Sequence, residues 1–299
     1  MLPGMAAKPR VAIIGAGNLG TALALSVQHA GYIIDAVIAR SRRASLRNAR
    51  RLANRVGARA LANPAIDPSV LRADVIWFCV PDAEIALVAR ALAGKVDWKG
   101  RVALHSSGAL TSDELAVLRG RGASAASVHP LMTFVPGSRP SLAGVPFALE
   151  GDAAALRVAR HVLEDMGSHV YPIRKKDKAV YHAWGTFASP LFTVLLATAE
   201  QVAALAGVNP KAAKRRMIPI LLQTLANYAA FGPAGGFSGP IIRGDVDTVK
   251  RHLRVLRDAP VAREVYLSLA TAALAYLPGK NKRAMRGELK SARREGRRE

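Results

Sequence analysis

The sequence predicts an α/β fold with a parallel sheet in its first half, followed by an all-α second half. Three observations carry this. A β-branched run near the N-terminus leads through a glycine-rich turn into a helical segment. Apolar runs then alternate with amphipathic segments as far as residue 173, and after Lys178 long Ala- and Leu-rich segments follow with no strand pattern between them.

Val11 to Ile14 is the first strand, ending in Gly15-Ala-Gly17-Asn-Leu-Gly20; the segment from Asn18 to Ala30 is made of helix formers and closed by Gly31. Ile33 to Ala39 reads as a strand, Ala44 to Val56 as a helix with arginines outward, and Asp74 to Val80 as an apolar strand stopped by Pro81. Asp82 is placed to cap a helix from Ala83 to Ala93. A strand over Arg101 to Leu104, a helix from Thr111 to Leu118 and a strand over Ser124 to Val128 come next, then strand, helix and strand over 145–149, 153–166 and 169–171. Continuously apolar strands imply a sheet covered on both faces. Helices are expected over 178–206, 211–230, 246–257 and 261–277.

These boundaries divide the chain into a domain at 1–173, a helical domain at 174–279 and a basic, flexible tail at 280–299. With 299 residues, of which 51% are hydrophobic, there is ample material for two cores. The apolar stretches 187–199 and 265–277 fall short of the roughly 18 to 20 residues that cross a bilayer, so they read as buried helices and no membrane partner is expected. The N-terminus shows no export signal and Cys79 has no partner cysteine, which points to the cytoplasm. The net charge of +22 raises the question of nucleic acid. Only 5% of residues are aromatic and none interleave with the basic stretches, so a base-stacking platform is missing and nucleic acid is disfavoured.

GAGNLG at 15–20 fits G-x-G-x-x-G in the strand, turn, helix context that makes the motif informative. Gly15 permits the tight turn, Gly17 leaves room for a pyrophosphate, and Gly20 lets the helix pack closely, while the amides of Asn18 and Leu19 open the helix. The acidic residue that would select NAD at the end of the second strand is replaced by Arg40, Ser41, Arg42 and Arg43, which suit the 2′-phosphate of NADP. Val80 and Pro81 end the third apolar strand on the nicotinamide side, with Ser106 beside them.

Residues just past the carboxyl ends of the strands are the candidates for chemistry. His129 is placed to hold and protonate a reacting oxygen. His105 reads better as structural, and Ser106 and Ser107 serve the site or cap a helix. Lys178 and His182, at i and i+4, lie on one helix face where Lys178 clamps a carboxylate or donates a proton. Arg243 clamps an anion, or Asp245 caps the helix from Val246. There is no metal-ligand spacing and no G-x-S-x-G elbow.

The segments GAGNLG, VIWFCVPD, LHSSGAL, SVHPLMTF, ALEGD, KAVYHAWGTFAS and GPIIRGD together resemble a bacterial family that joins a Rossmann-like domain to a helical domain of unknown function, with similarity spanning residues 10 to 255. More distantly the chain is similar to 6-phosphogluconate and β-hydroxyacid dehydrogenases and to prephenate dehydrogenase. The resemblance implies an NADP-dependent oxidoreductase, with or without a deazaflavin, and a homodimer formed through the helical domain. Its substrate is expected to be a small anionic hydroxy or oxo compound. Lys178 matches the β-hydroxyacid dehydrogenase lysine, although His182 stands where that family has Asn; Ser106 or Ser107 with His129 match the prephenate dehydrogenase pair. A non-catalytic NADP-binding sensor is the alternative.

Overall fold

The computed structural model describes residues 8–63, 71–138 and 140–295. The expected signal-free start at 1–7 and the end of the tail at 296–299 lie outside the described residues. Among these residues the chain forms two compact units that divide between Phe187 and Ala188.

The first unit is built on a sheet of eight strands: β1 Val11–Ile14, β2 Ile34–Arg40, β3 Arg59–Asn63, β4 Val75–Phe78, β5 Val102–His105, β6 Ser124–Pro130, β7 Pro146–Gly151 and β8 His169–Pro172. Their order across the sheet is β3-β2-β1-β4-β5-β6-β7-β8. Pairing is parallel through β6, antiparallel between β6 and β7, and parallel again between β7 and β8. Helices α1 Asn18–His29, α2 Arg43–Val56 and α5 Ala153–Asp165 contribute to one core; α3 Asp82–Ala93 and the short α4 Ala116–Arg119 contribute to the core on the opposite face. Ala12, Ile14, Ile76 and Phe78 face one core while Val11, Ile13, Val75 and Trp77 face the other, which is why these strands are apolar throughout. At the amino ends of the strands the buried Asp35 carboxylate accepts from Arg10 Nη2 at 3.0 Å, Arg59 Nη2 at 2.9 Å and the Arg72 amide at 2.9 Å. The carboxyl ends are thereby left for other chemistry.

Three local expectations are corrected. β3 is an additional edge strand that alternation did not reveal, because it is only half-buried. Asp82 does not cap α3; it is the first helical residue, and its carboxylate is taken by Ser107. Thr111 does cap, but the segment it caps is a 3₁₀ turn over Ser112–Leu115 that precedes α4.

The chain continues through α6 Lys178–Ala188, of which residues to Phe187 belong to the first unit. The second unit contains α7 Pro190–Leu205, α8 Pro210–Gly236, α9 Pro240–Arg243, α10 Val246–Val255, α11 Pro260–Tyr276 and α12 Lys282–Glu295. Its core joins Val249 and Leu253 of α10, Leu267, Ala270 and Leu274 of α11, and Met285, Leu289 and Ala292 of α12. The basic tail is therefore a packed helix over Lys282–Glu295, with apolar residues on one face and its basic residues chiefly on the others. The expectation of a buried helix at 187–199 is also corrected, for α7 has no buried residue. The helical stretch Lys175–Leu205 is long and apolar enough to cross a membrane by length and composition. Its first part nevertheless buries Lys178 and Tyr181 within the sheet unit.

Leu289→Ala is expected to destabilise the protein by about 2 to 4 kcal/mol, the usual cost of emptying a core leucine site. Urea unfolding checks this, since a flexible tail would leave the midpoint unchanged.

Candidate functional site

The order 3-2-1-4-5-6 reverses direction between β1 and β4, the point at which open parallel sheets bind ligands outside their carboxyl ends. The glycine turn lies there. Gly15 has φ +103°, and a Cβ on it would come within 2.4 Å of the Cys79 carbonyl oxygen; a Cβ on Gly20 would lie 1.9 Å from the Gly15 oxygen. A Cβ on Gly17 would meet nothing within 4 Å, so the concavity at the start of α1 is open. Leu19 is half-buried, while Asn18 is exposed and donates from Nδ2 to the Phe134 carbonyl at 3.2 Å. Val80 comes close to Gly15, and Pro81 is exposed beside it. A polar cavity of about 360 Å³ runs from this turn along α1 and α2, where Asn48, Arg51 and Arg55 line it.

At the end of β2 the four predicted residues take different partners. Arg40 is held by Glu84 of α3 at 2.6 Å, and Ser41 donates to the Asn63 carbonyl at 3.1 Å. Arg42 and Arg43, exposed at the start of α2, have no ion-pair partner among the described residues. Since β1 lies between β2 and β4, the Arg40–Glu84 pair crosses the carboxyl end of β1. Glu84 was not anticipated from the sequence.

The second cluster grows from β6. Ser127 and His129 point to one face of that strand, alternating with the buried Ala126 and Val128. Lys178, the first residue of α6 and 1% exposed, donates from Nζ to Ser127 Oγ at 2.6 Å and to the Ser107 carbonyl at 3.0 Å. Ser127 Oγ also donates to that carbonyl at 3.1 Å. Ser107 Oγ donates to Asp82 Oδ2 at 2.8 Å and accepts from the Leu110 amide at 3.0 Å. Ser106 Oγ accepts from Trp77 Nε1 at 2.8 Å. These serines hold the loop between β5 and α4 in place and cap no helix.

One helical turn beyond Lys178, Tyr181 lies against His129, with its hydroxyl 2.8 Å from Nδ1 and the rings edge-on at 5.5 Å. His182 stacks edge-on to His129 at 6.1 Å. Both imidazoles press on Gly108, where a Cβ would come within 2.6 Å of His182 and 2.8 Å of His129 Nε2. The glycine is thus required by close approach, a role its place in Ser-Ser-Gly did not reveal. His182 is exposed and His129 half-buried, whereas Lys178 lies beneath them. The expected Lys178–His182 pair is therefore divided, and the accessible pair is His129 with His182. Ser127, Tyr171 and Tyr181 were not singled out from the sequence, and the contacts of Asp82 and Gly108 were not foreseen; the alternation of polar residues along β6 was the available signal for Ser127.

Burial dominates the electrostatics. It lowers the His129 pKa to about 4, with the charges of Lys178, His182 and His105 adding to the effect. It lowers Lys178 to about 8 against the opposing pull of Glu150 and Asp82. His105, also lowered to about 4 by burial, accepts the Ser107 amide at Nδ1 and donates from Nε2 to the Thr111 carbonyl, the structural role expected of it. In the second unit Asp245 caps α10 through Thr248, the capping alternative for that segment.

Because His105 and His129 titrate near 4 when folded and near 6.5 when unfolded, the unfolded chain binds more protons between those values. Stability is complete above pH 6.5 and is lost as pH falls toward 4, by on the order of 3 kcal/mol for each imidazole. Urea midpoints measured across this window are expected to fall accordingly, and a His129→Asn variant to show the shallower slope.

Two family models match the chain: a Rossmann-like domain over residues 5–130 and the domain of unknown function DUF2520 over residues 145–273. The second model begins at β7 and so spans the antiparallel part of the sheet as well as helices. A Bacteroides fragilis protein named provisionally as an NADP oxidoreductase shares the fold at 21% identity and TM-score 0.72, over 89% of this chain and 97% of that one. An imine reductase from a Pseudomonas species matches at 20% identity and TM-score 0.60, over 90% and 94% of the two chains. A reductive aminase from Aspergillus terreus, solved with NADPH and ethyl-5-oxohexanoate, matches at 17% identity and TM-score 0.57, over 97% and 96%. At these identities the likeness establishes the fold. No curated protein matches the chain.

Proposed function

Because this chain joins a Rossmann-like domain to a domain of the DUF2520 family, we propose that it is an NADP(H)-dependent oxidoreductase acting on a small carbonyl, hydroxy or imine compound. One observation carries the reading: the open glycine turn lies at the switch point of the sheet, and Arg42 and Arg43, which have no ion-pair partner among the described residues, follow the carboxyl end of the neighbouring strand β2. The residues present fit such a cofactor. Gly17 leaves the space a pyrophosphate needs, the first amides of α1 point into it without a side-chain cap, and Arg42 and Arg43 supply the charge for a 2′-phosphate. The cofactor supplies the hydride.

His129 is then the residue that holds and protonates the reacting heteroatom, with His182 beside it. Lys178, buried with its ammonium on Ser107 and Ser127, is a positioning residue in this scheme, as is Ser107. Lys178, the clamp expected for an anionic substrate, has its ammonium on the Ser107 carbonyl and Ser127 Oγ instead, so only the reacting group of the substrate is assigned. No deazaflavin is invoked.

The homodimer also belongs to this proposal. Ile220, Leu222 and Phe231 of α8 and Tyr276 of α11 are each more than 60% exposed, Leu191, Val194 and Leu205 of α7 are exposed as well, and a soluble surface rarely leaves so much apolar area uncovered. We place the protein in the cytoplasm, where NADPH is available. Replacing both Ile220 and Leu222 by Glu should convert a dimer to a monomer in sedimentation velocity; a wild-type monomer would remove this part of the reading.

Arg42→Ala combined with Arg43→Ala is expected to weaken NADPH binding at least tenfold in calorimetric titration while changing NADH binding little. Equal losses would reject the 2′-phosphate assignment. Tight NADPH binding without turnover on carbonyls or imines would favour the sensor alternative.

A further inference from the structure

Three residues stand in one register row across the last strands of the sheet. His129 of β6 pairs with Ala148 of β7, and Ala148 pairs with Tyr171 of β8. Side chains in register share a face, so His129 and Tyr171 project on the same side with only the methyl of Ala148 between them. Tyr181 descends from α6 into that gap. Its ring is edge-on to both neighbours, at 5.5 Å from His129 and 6.3 Å from Tyr171, and its hydroxyl reaches both, at 2.8 Å from His129 Nδ1 and 3.3 Å from the Tyr171 hydroxyl.

The polarity of this row follows from the acceptors. The lone pair of a phenol is conjugated with its ring, which makes it a weak acceptor, whereas an unprotonated imidazole nitrogen is a strong one. The favoured sense is therefore Tyr171 donating to Tyr181 and Tyr181 donating to Nδ1. The imidazole proton then resides on Nε2, which faces Gly108 and has no hydrogen-bond partner among the described residues. Tyr171 is half-buried and can exchange protons with water; Tyr181 is buried.

We propose that Tyr171, Tyr181 and His129 form a proton wire that delivers a solvent proton to the reacting heteroatom, a role that rests on the reductase reading. When the reacting carbon accepts hydride, the C=O or C=N π pair moves to the heteroatom, which takes the proton from His129 Nε2. Nδ1 takes the Tyr181 proton, the Tyr181 oxygen takes the Tyr171 proton, and water replaces the last. Each bond to hydrogen that breaks is matched by one that forms, and the imidazole is neutral before and after the step. A lone neutral imidazole is a very weak acid; coupling both nitrogens lets it donate without becoming an anion. His182, Lys178 and His105 also face His129, and each disfavours the imidazolium that a simple protonated-histidine mechanism needs.

The test uses full-length protein labelled with ¹⁵N-histidine and carrying Tyr181→Phe or Tyr171→Phe. Both variants keep the ring that packs and lose the proton. In wild-type protein Nδ1 should give a pyridine-like and Nε2 a pyrrole-like ¹⁵N signal; Tyr181→Phe should mix the tautomers and raise the His129 pKa, because Nδ1 loses its donor. This arm needs no cofactor. A wild-type proton on Nδ1, or unchanged tautomers in Tyr181→Phe, would overturn the wire even if the protein is a reductase. With NADPH and a reducible carbonyl or imine, Tyr181→Phe should lower kcat at least tenfold and Tyr171→Phe severalfold, with KM unchanged and the solvent isotope effect reduced. An unchanged kcat in both variants overturns the proposal. Absence of turnover in the wild type, with the tautomer as predicted, removes the reductase reading and leaves the hydrogen-bond row in place.

Discussion

The carboxyl-end cluster depends on one buried ammonium. Lys178 Nζ holds the Ser107 carbonyl and Ser127 Oγ, joining α6 to β6 and to the loop after β5. Placing an ammonium where only 1% of the residue is exposed carries a desolvation cost, visible in the lowered pKa. Two charge-assisted hydrogen bonds offset part of it, and the fields of Glu150 and Asp82 oppose the shift. In return the tie sets the register of α6. Tyr181 then falls over the row that starts at His129, and His182 falls against Gly108. The same spacing viewed without the tie would allow Lys178 to face solvent.

That difference explains what was legible. The first strand, the glycine turn and the alternation through β6 could be read because each is a local pattern with a period or a compulsory residue. The spacing of Lys178 and His182 correctly put them on one side of a helix, but which of the two would be covered depended on tertiary packing. Ser107 was singled out as a hydroxyl for chemistry, yet both its oxygens are occupied in joining Asp82, Leu110, Ser127 and Lys178. Along the tail, the high density of charge hid an apolar stripe of Met285, Leu289 and Ala292, which has helical spacing. β3 was missed because half-buried edge strands have weak alternation.

The arginine-rich end of β2 shows a second limit of sequence reading. Composition presented four polar residues there as one anion-binding group, whereas folding sorts them. Arg40 meets Glu84 across the end of β1 and Ser41 bonds Asn63, leaving Arg42 and Arg43 without an ion-pair partner among the described residues. The Arg40–Glu84 pair is half-exposed and so contributes little to stability. Its consequence is electrostatic: an anion approaching Arg40 competes with a carboxylate, while one approaching Arg42 or Arg43 does not.

The two parts of the site therefore respond to change in different ways. Arg42 and Arg43 are exposed and independent, so altering either leaves its neighbours satisfied. Around β6, small residues create the space that polar ones occupy: Gly108 under the imidazoles, Ala148 between His129 and Tyr171, and Ser127 beneath Lys178. A buried polar network is tolerable when its members are satisfied, and removing one leaves a partner without its hydrogen bond. A larger side chain at Gly108 would displace the imidazoles, and one at Ala148 would take the gap that Tyr181 fills. Loss of Ser127 would leave the buried ammonium with the Ser107 carbonyl alone. The loop after β5, the face of β6 and the first turns of α6 consequently act as one unit, in which any single change is felt at His129.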